Sequence, residues 1–373
     1  MDLYTNSILV LFLGIFLITP LILFKGSSKY AIGLFFVVIF LATIFRPYNL
    51  GVDVENYTLY LTDSSSWADE KSKYAFIYYL SFLIPGTWQK LVFLNLLSTL
   101  LVTFSFSKIF KRIKLQNKFK GKYIFFIYMA YILALIPALL TVHLKQYIAF
   151  GFITLLIQKY KSYTKKIILY EIIISLLILI THPIYFPFLT IYFASKYYNF
   201  GIISLIKNST QITRFIFLII LSVVIYLLFS KISILYIYVT TLLPGFLSYG
   251  IQLSGIEENR SIISTIYPFL IISPILLFNI LSKNKNNNNN NNKFYGALLI
   301  YILFTLPIVF IEYKLNFLYS ISRIKSGLYP SVFLLLSYIE NFRVSKPNMI
   351  VLALSTSSLT LYSLFRFYNS ISS

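Results

Sequence analysis

The chain has 373 residues, of which 58% are hydrophobic and only 12% charged, and this composition predicts an integral membrane protein, because soluble domains carry about twice that charged fraction. Its net charge of +21 is attributed to basic loops flanking the membrane, and we expect no nucleic acid partner. The absence of cysteine and the presence of only two histidines exclude disulfides, thiolate nucleophiles and a histidine-built metal site, and we expect no metal and no cofactor.

Apolar runs of about 15–20 residues recur along the chain, near the length that a helix needs to cross a bilayer. They predict an all-α, polytopic integral membrane protein with roughly 10–13 transmembrane helices in a single domain over residues 1–373. We place the spans at about 5–24, 30–45, 86–107, 123–141, 145–158, 167–181, 184–198, 214–230, 262–281, 294–311, 327–339 and 348–366. Two further apolar stretches, 74–85 and 232–250, are compatible with interfacial or re-entrant segments.

The basic residues orient these spans. If the loop at 25–29 is cytoplasmic, alternation places the other strongly basic loops on the same side, and together they hold 21 of the 32 Lys and Arg residues. Nine of the 11 acidic residues fall on the opposite side. This bias predicts that both termini and the two longer loops, about 46–75 and 231–261, face outward. The asparagine-rich stretch at about 282–293 is predicted to be a disordered cytoplasmic linker.

The strongest polar motif is FRPYNLGVDVENY, at the predicted exit of the second span. Arg46 lies at the membrane edge, Pro47 ends the helix, and Gly51 permits a tight turn before Asp53. An ordinary helix exit, with a snorkelling arginine and a solvated acid, accounts for the same pattern. The motif alone therefore leaves both interpretations open.

Three further motifs lie at the same predicted outer level. Lys145 and Gln146 open a returning helix, His182 precedes a proline at another hairpin tip, and Arg323 lies at the edge of a late span. Each also has a simple interpretation as a polar turn or a snorkelling side chain. Together, cations at the outer headgroup level suit the oxygens of a lipid-linked phosphate or pyrophosphate. A nearby carboxylate or imidazole could then remove a proton from an attacking hydroxyl.

The order of these residues carries a family resemblance from about residue 40 to 335. They are, in chain order, Arg46, Gly51, Asp53 and Tyr57, then Lys145, Gln146 and Ala149, then His182, and finally Arg323 and Tyr329. In this order the chain resembles the EpsG-like group of Wzy-type polysaccharide polymerases. Lys145 stands where that family usually has arginine, and Pro183 follows His182 where a small polar residue is usual.

The resemblance implies a GT-C-like membrane glycosyltransferase in the bacterial inner membrane that uses no nucleotide-sugar donor. Its substrates would be oligosaccharide repeat units on undecaprenyl pyrophosphate, joined on the outer face into O-antigen, capsule or exopolysaccharide. Asp53 or His182 would be the catalytic base. Pyrophosphate and glycan binding would fall to Arg46, Tyr57, Lys145, Gln146, Arg323 and Tyr329. The implied partners are the bilayer and the chain-length regulator and flippase of the same pathway.

Two alternatives stay open at this point. A flippase or other transporter of the same lipid-linked oligosaccharide would be expected to show internal repeats and charges at the membrane midplane. We find no convincing repeat, and the acid that lies clearly within a span is Glu171, near its cytoplasmic end. An O-antigen ligase would be expected to carry a larger outer loop late in the chain, where this sequence has a short segment at about 312–326.

Overall fold

The structure is a computed structural model, and the residues that it describes are helices and their connecting turns, with no β-strand among them. They are residues 33, 37, 61, 77–116, 127–132, 134–135, 144–162, 164–197, 262–281, 288–315, 327–339 and 345–372. Eight helices are α1 (Thr87–Gln116), α2 (Leu144–Lys159), α3 (Lys165–Thr181), α4 (Phe186–Tyr197), α5 (Ile262–Leu281), α6 (Asn288–Leu315), α7 (Ser331–Ile339) and α8 (Lys346–Ser372). The predicted all-helical character is confirmed for these residues.

The chain divides into two compact units. The first comprises Met1–His182 with Ala353–Ser373, and the second comprises Pro183–Leu352. In the first unit α2 packs against both α1 and α3. Helical residues at 127–132 also belong to this unit, where Tyr128 meets the ring of Phe106 edge-on at a centroid distance of 6.2 Å. The hydroxyl of Thr360 in α8 donates to the carbonyl of Ala130 at 3.0 Å.

Helices α1 and α2 run parallel and approach closely at Gly151. A β-carbon at this glycine would lie 3.4 Å from the Cα of Ser98, and one turn further along α2 the hydroxyl of Thr154 lies 3.4 Å from the carbonyl of Leu101. The backbone contacts advance in the same direction along both helices, which indicates a parallel arrangement. Glycine lets the two backbones come together here without a side chain between them.

Helices α2 and α3 form an antiparallel hairpin. Residues 160–164 join them, and Thr164 caps α3 by accepting a hydrogen bond from the backbone N–H of Ile167 at 3.3 Å. At the other end, His182 is the C-terminal cap, with extended backbone angles of φ −158° and ψ 104°. Pro183 explains this ending, since a residue before proline is disfavoured in the helical conformation.

The second unit is built around α6, which packs against α4, α5 and α7. Helix α5 contains two prolines, and Pro274 has no N–H to donate to the carbonyl of Leu270. The hydroxyl of Ser273 donates to that carbonyl instead, at 2.8 Å. The hydroxyl of Tyr301 in α6 donates to the carbonyl of Pro268 at 2.8 Å and joins the two helices.

Helix α3 buries polar side chains and exposes large apolar ones. Its buried residues are the polar Glu171, Ser175 and Thr181 together with two isoleucines. Beyond the two exposed lysines of its first turn, Lys165 and Lys166, its exposed side chains are large and apolar, namely Ile168, Leu169, Ile172, Ile173, Leu176 and Ile180. The part of helix α8 that belongs to the first unit shows the same pattern. Thr356, Thr360 and Ser363 are buried, whereas Leu354 and Leu361 are exposed. A helix in water shows the opposite distribution.

One helix among the described residues is long and apolar enough to cross a membrane by length and composition, Thr87–Lys111 within α1. Shorter apolar helices occupy Tyr267–Leu277 and Phe294–Leu306. These features support an association with membranes.

Where the structure describes the chain continuously, helices occupy the predicted spans, but the helix limits differ from the prediction at the asparagine tract. Helix α6 begins at Asn288, whereas the sequence assigned residues 282–293 to a linker. Asparagine is well suited to a helix N-terminus, since its side chain can satisfy the N–H groups that have no partner within the helix. Outside the described residues lie the spans predicted at 5–24 and 214–230, the apolar stretch at 232–250, the outer loop at 231–261, and most of the span at 30–45 and of the outer loop at 46–75.

Candidate functional site

Three of the predicted site residues lie at one end of the first unit. Lys145 and Gln146 occupy the first turn of α2, and His182 caps the end of α3. Because α2 and α3 form an antiparallel hairpin, the start of one and the end of the other lie at the same end of the pair. The structure thus places two motifs, separated by 36 residues in the sequence, on one end of this unit.

Lys145 is buried, with 8% of its surface exposed, and Gln146 is 1% exposed. The sequence predicted that these residues open a returning helix, with a polar turn as the simpler alternative, and the structure places both in the first turn of α2 with their side chains buried. A lysine ammonium withdrawn from water requires compensation by hydrogen bonds or an opposite charge. A cation in this environment interacts more strongly with an anion than it would in a solvated loop, because water screens it less.

His182 is partly buried, and its backbone N–H donates to the carbonyl of Ile178 at 2.8 Å. This is the last backbone hydrogen bond of α3, and the imidazole is the titratable group of this residue. Either ring nitrogen can carry the proton of the neutral form. Histidine at this position therefore has the chemical capacity of a proton acceptor.

Tyr329 lies in the second unit, in the turn before α7, where its ring packs edge-on against Tyr267 at 5.6 Å. The neighbouring Gly327 abuts the backbone of the 3₁₀ turn Pro183–Tyr185, and a β-carbon there would overlap the carbonyl oxygen of Ile184. The turn that carries Tyr329 is thus held by a backbone contact that only glycine permits. The remaining predicted site residues, Arg46, Asp53, Tyr57 and Arg323, lie outside the described residues.

Sequence reasoning missed a polar group between α1 and α2. The hydroxyls of Thr99 and Tyr147 lie 2.7 Å apart, and Thr99 also donates to the carbonyl of Asn95 at 2.9 Å. The one proton of Thr99 is used in the second bond, so Tyr147 is the donor in the first. The signal that could have found this group is the spacing of Asn95, Ser98 and Thr99 in an apolar run, which places all three on one helix face.

Within the described residues, no group of three or more His, Cys, Asp or Glu side chains could hold a metal ion. The described arrangement supplies several side chains that can take part in chemistry. These are a buried cation and an amide at the start of α2, an imidazole at the end of α3, and hydroxyl groups between α1 and α2. No protein-family model, curated protein or solved structure matches the chain.

Proposed function

We propose that this chain is a polytopic enzyme of the bacterial inner membrane that polymerises oligosaccharide repeat units carried on undecaprenyl pyrophosphate. The observation that carries the proposal is that Lys145, Gln146 and His182 lie at the same end of the α2–α3 hairpin. These are residues on which the resemblance to EpsG-like polymerases also depends. The surface glycan that receives the polymer would be O-antigen, capsule or exopolysaccharide.

The membrane part of the proposal is supported by the inverted polarity of α3 and α8. Leucine and isoleucine side chains on the outside of a helix cost little in lipid, whereas Glu171 and the hydroxyl residues would cost much there and are buried instead. The aliphatic face of α3 continues over most of its 17 residues, a length of about 25 Å. Such a face suits acyl chains rather than water.

The proposed reaction is a glycosyl transfer. A hydroxyl of one repeat unit attacks the anomeric carbon of the growing chain, a new C–O bond forms, and the bond to undecaprenyl pyrophosphate breaks with its electrons on the leaving oxygen. Cations stabilise the charge that develops on this group, a role proposed for Arg46, Lys145 and Arg323. Asp53 or His182 takes the proton of the attacking hydroxyl. Asp53 is preferred because it follows closely after Arg46 in the sequence.

Reconstitution with purified lipid-linked repeat units tests this activity. Arg46→Ala, Asp53→Asn and Lys145→Ala are expected to reduce polymer formation at least tenfold, the loss that follows when one charged contact in a transition state is removed. Lys145→Arg, which introduces the residue usual in the family, is expected to retain activity. Lys165→Ala is the matched control, since this exposed lysine lies at the opposite end of the same hairpin. Full activity in all of the first three variants would contradict the site assignment.

A cell lacking the gene provides an independent test. Its surface glycan is expected to carry single repeat units, because units that are exported but not joined can still be transferred. A normal ladder of long chains in such a cell would contradict the proposed polymerase activity. Accumulation of the lipid-linked unit on the cytoplasmic leaflet would indicate a flippase instead.

The orientation of the spans is testable because the chain contains no cysteine. Trp88→Cys, at the exposed start of α1, is expected to react with a membrane-impermeant maleimide in intact spheroplasts. Ser162→Cys, in the turn between α2 and α3, is expected to react only after the membrane is opened. The reverse pattern would show that the site end of the hairpin faces the cytoplasm.

A transporter is the second candidate, favoured by one observation. Glu171 is fully buried in α3, and buried carboxylates in membrane helices are typical of ion-coupled carriers. It lies 11 residues before His182, so the two are separated by about 16 Å along the helix. Glu171→Gln is therefore expected to leave polymer formation intact if the chain is a polymerase. Loss of substrate translocation in this variant, with no polymerisation by the wild type, would support the transporter.

A further inference from the structure

Asn95 in α1 is buried, with 5% of its surface exposed, and its side-chain oxygen has no hydrogen-bond partner among the residues that the structure describes. Thr99, one turn away, bonds to the hydroxyl of Tyr147 and to the backbone carbonyl of Asn95. Neither of these bonds involves the side chain of Asn95. A buried amide oxygen without a donor is unfavourable, and native proteins rarely retain one unless a ligand or water satisfies it. The position therefore calls for a ligand that donates a hydrogen bond.

The register of α1 and α2 places Asn95 beside the proposed site. Gly151 lies against Ser98, and Thr154 contacts Leu101. A residue of α2 is therefore level with the residue of α1 whose number is about 50 lower. Asn95 is then level with the first turn of α2, which contains Lys145 and Gln146. Asn95 also lies on the face of α1 that meets α2, since Thr99 follows it by four residues and bonds to Tyr147.

We infer that Asn95 is a further substrate-binding residue, which holds a sugar hydroxyl of the lipid-linked repeat unit beside the cationic first turn of α2. This inference rests on the proposed function and adds a glycan contact to it. A neutral amide suits a neutral hydroxyl, whereas Lys145 suits the phosphate oxygens. A hydroxyl both donates and accepts a hydrogen bond, so it can pair with the side-chain amide of Asn95 whichever way the amide oxygen and nitrogen are oriented.

Asn95→Leu separates this role from a structural one. Replacing an unsatisfied polar group with an apolar group of similar size is expected to leave the thermal stability unchanged or raise it. If Asn95 held the helices together, the same variant would be less stable. A clear loss of stability in Asn95→Leu would therefore overturn the inference without any measurement of activity.

Binding is measured with two probes, the purified undecaprenyl-pyrophosphate-linked repeat unit and undecaprenyl pyrophosphate without a glycan. Asn95→Leu is expected to weaken binding of the first probe about three- to tenfold, the effect of one hydrogen bond, and to leave binding of the second unchanged. Equal binding of the first probe by the wild type and the variant would overturn the inference, since an ordered water would then account for the amide. An equal loss for both probes would also overturn it, because the contact would not be to the glycan.

Ser105→Ala is the matched control. Its hydroxyl is also buried without a partner, but it lies ten residues further along α1, about 15 Å from the level of the site. The variant is expected to bind both probes like the wild type. These binding measurements need no turnover, so they decide the glycan contact of Asn95 whether or not the protein forms polymer. Failure of the wild type to form polymer would contradict the proposed function alone.

Discussion

The hydrogen bond between Thr99 and Tyr147 predicts an asymmetric effect on stability. Tyr147→Phe removes the donor, and Thr99 keeps its bond to the carbonyl of Asn95, so no buried hydrogen is left without an acceptor. We expect a cost of about 0.5–1 kcal/mol in the free energy of unfolding, in the range measured for hydrogen bonds between membrane helices. Thr99→Val preserves the shape of the side chain but leaves the hydroxyl of a fully buried tyrosine without its acceptor, which is expected to cost about 1–3 kcal/mol.

The double variant tests the same reasoning. Once Tyr147→Phe has removed the hydroxyl, Thr99→Val no longer strands it, so the pair of changes is expected to cost no more than Thr99→Val alone. The measurement is denaturant unfolding of the purified protein in detergent micelles, analysed as a double-mutant cycle with a coupling of about 1 kcal/mol. Thr103→Val is the control, because its hydroxyl bonds only to the carbonyl of Thr99 within the same helix. A larger cost for Tyr147→Phe than for Thr99→Val would refute the assignment of donor and acceptor.

Three further changes test other parts of the structure. Gly327→Ala introduces an overlap with the carbonyl of Ile184 and is expected to lower stability by more than about 2 kcal/mol in thermal unfolding, whereas Gly33→Ala, with no atom within 4 Å, is expected to be neutral or stabilising. Leu176→Lys places a charge on the exposed face of α3 and is expected to reduce the membrane-inserted fraction by cell fractionation, at a cost of about 2.5–3.5 kcal/mol; unchanged insertion would contradict a lipid-facing α3. Gly151→Leu is expected to separate α1 from α2 at about 1–3 kcal/mol and to abolish the coupling measured in the cycle above.

Helix limits in this chain were predictable where hydropathy and local chemistry agree. The span predicted at 262–281 coincides with α5, and the span predicted at 167–181 differs from α3 by two residues at its start. In α3 the reasons are local, because Thr164 caps one end and Pro183 prevents continuation at the other. The start of α6 was missed because a run of asparagines carries no apolar period and its compositional bias suggests a linker.

The candidate site was predictable in its helix-end residues. Lys145 and His182 interrupt long apolar runs, and the alternation of spans predicts that both lie on one side. The burial of Lys145 was not predictable, because it depends on which neighbouring helices pack around the first turn of α2. The four residues outside the described part of the chain remain predictions from the resemblance.

The polar interior shows why a sequence of this kind reveals its spans more readily than its internal contacts. A helix that faces lipid on one side and protein on the other can be apolar all around, so the hydrophobic residues do not mark the buried face. In α1 and α3 the buried face is instead marked by small and polar residues at helical spacing, such as Asn95 with Thr99 and Glu171 with Ser175. The register that brings Tyr147 to Thr99 depends on Gly151 and on the parallel course of the two helices, which only the tertiary structure defines. A search for Asn, Ser and Thr at spacings of three and four within each apolar run would therefore locate inward faces that hydropathy does not separate.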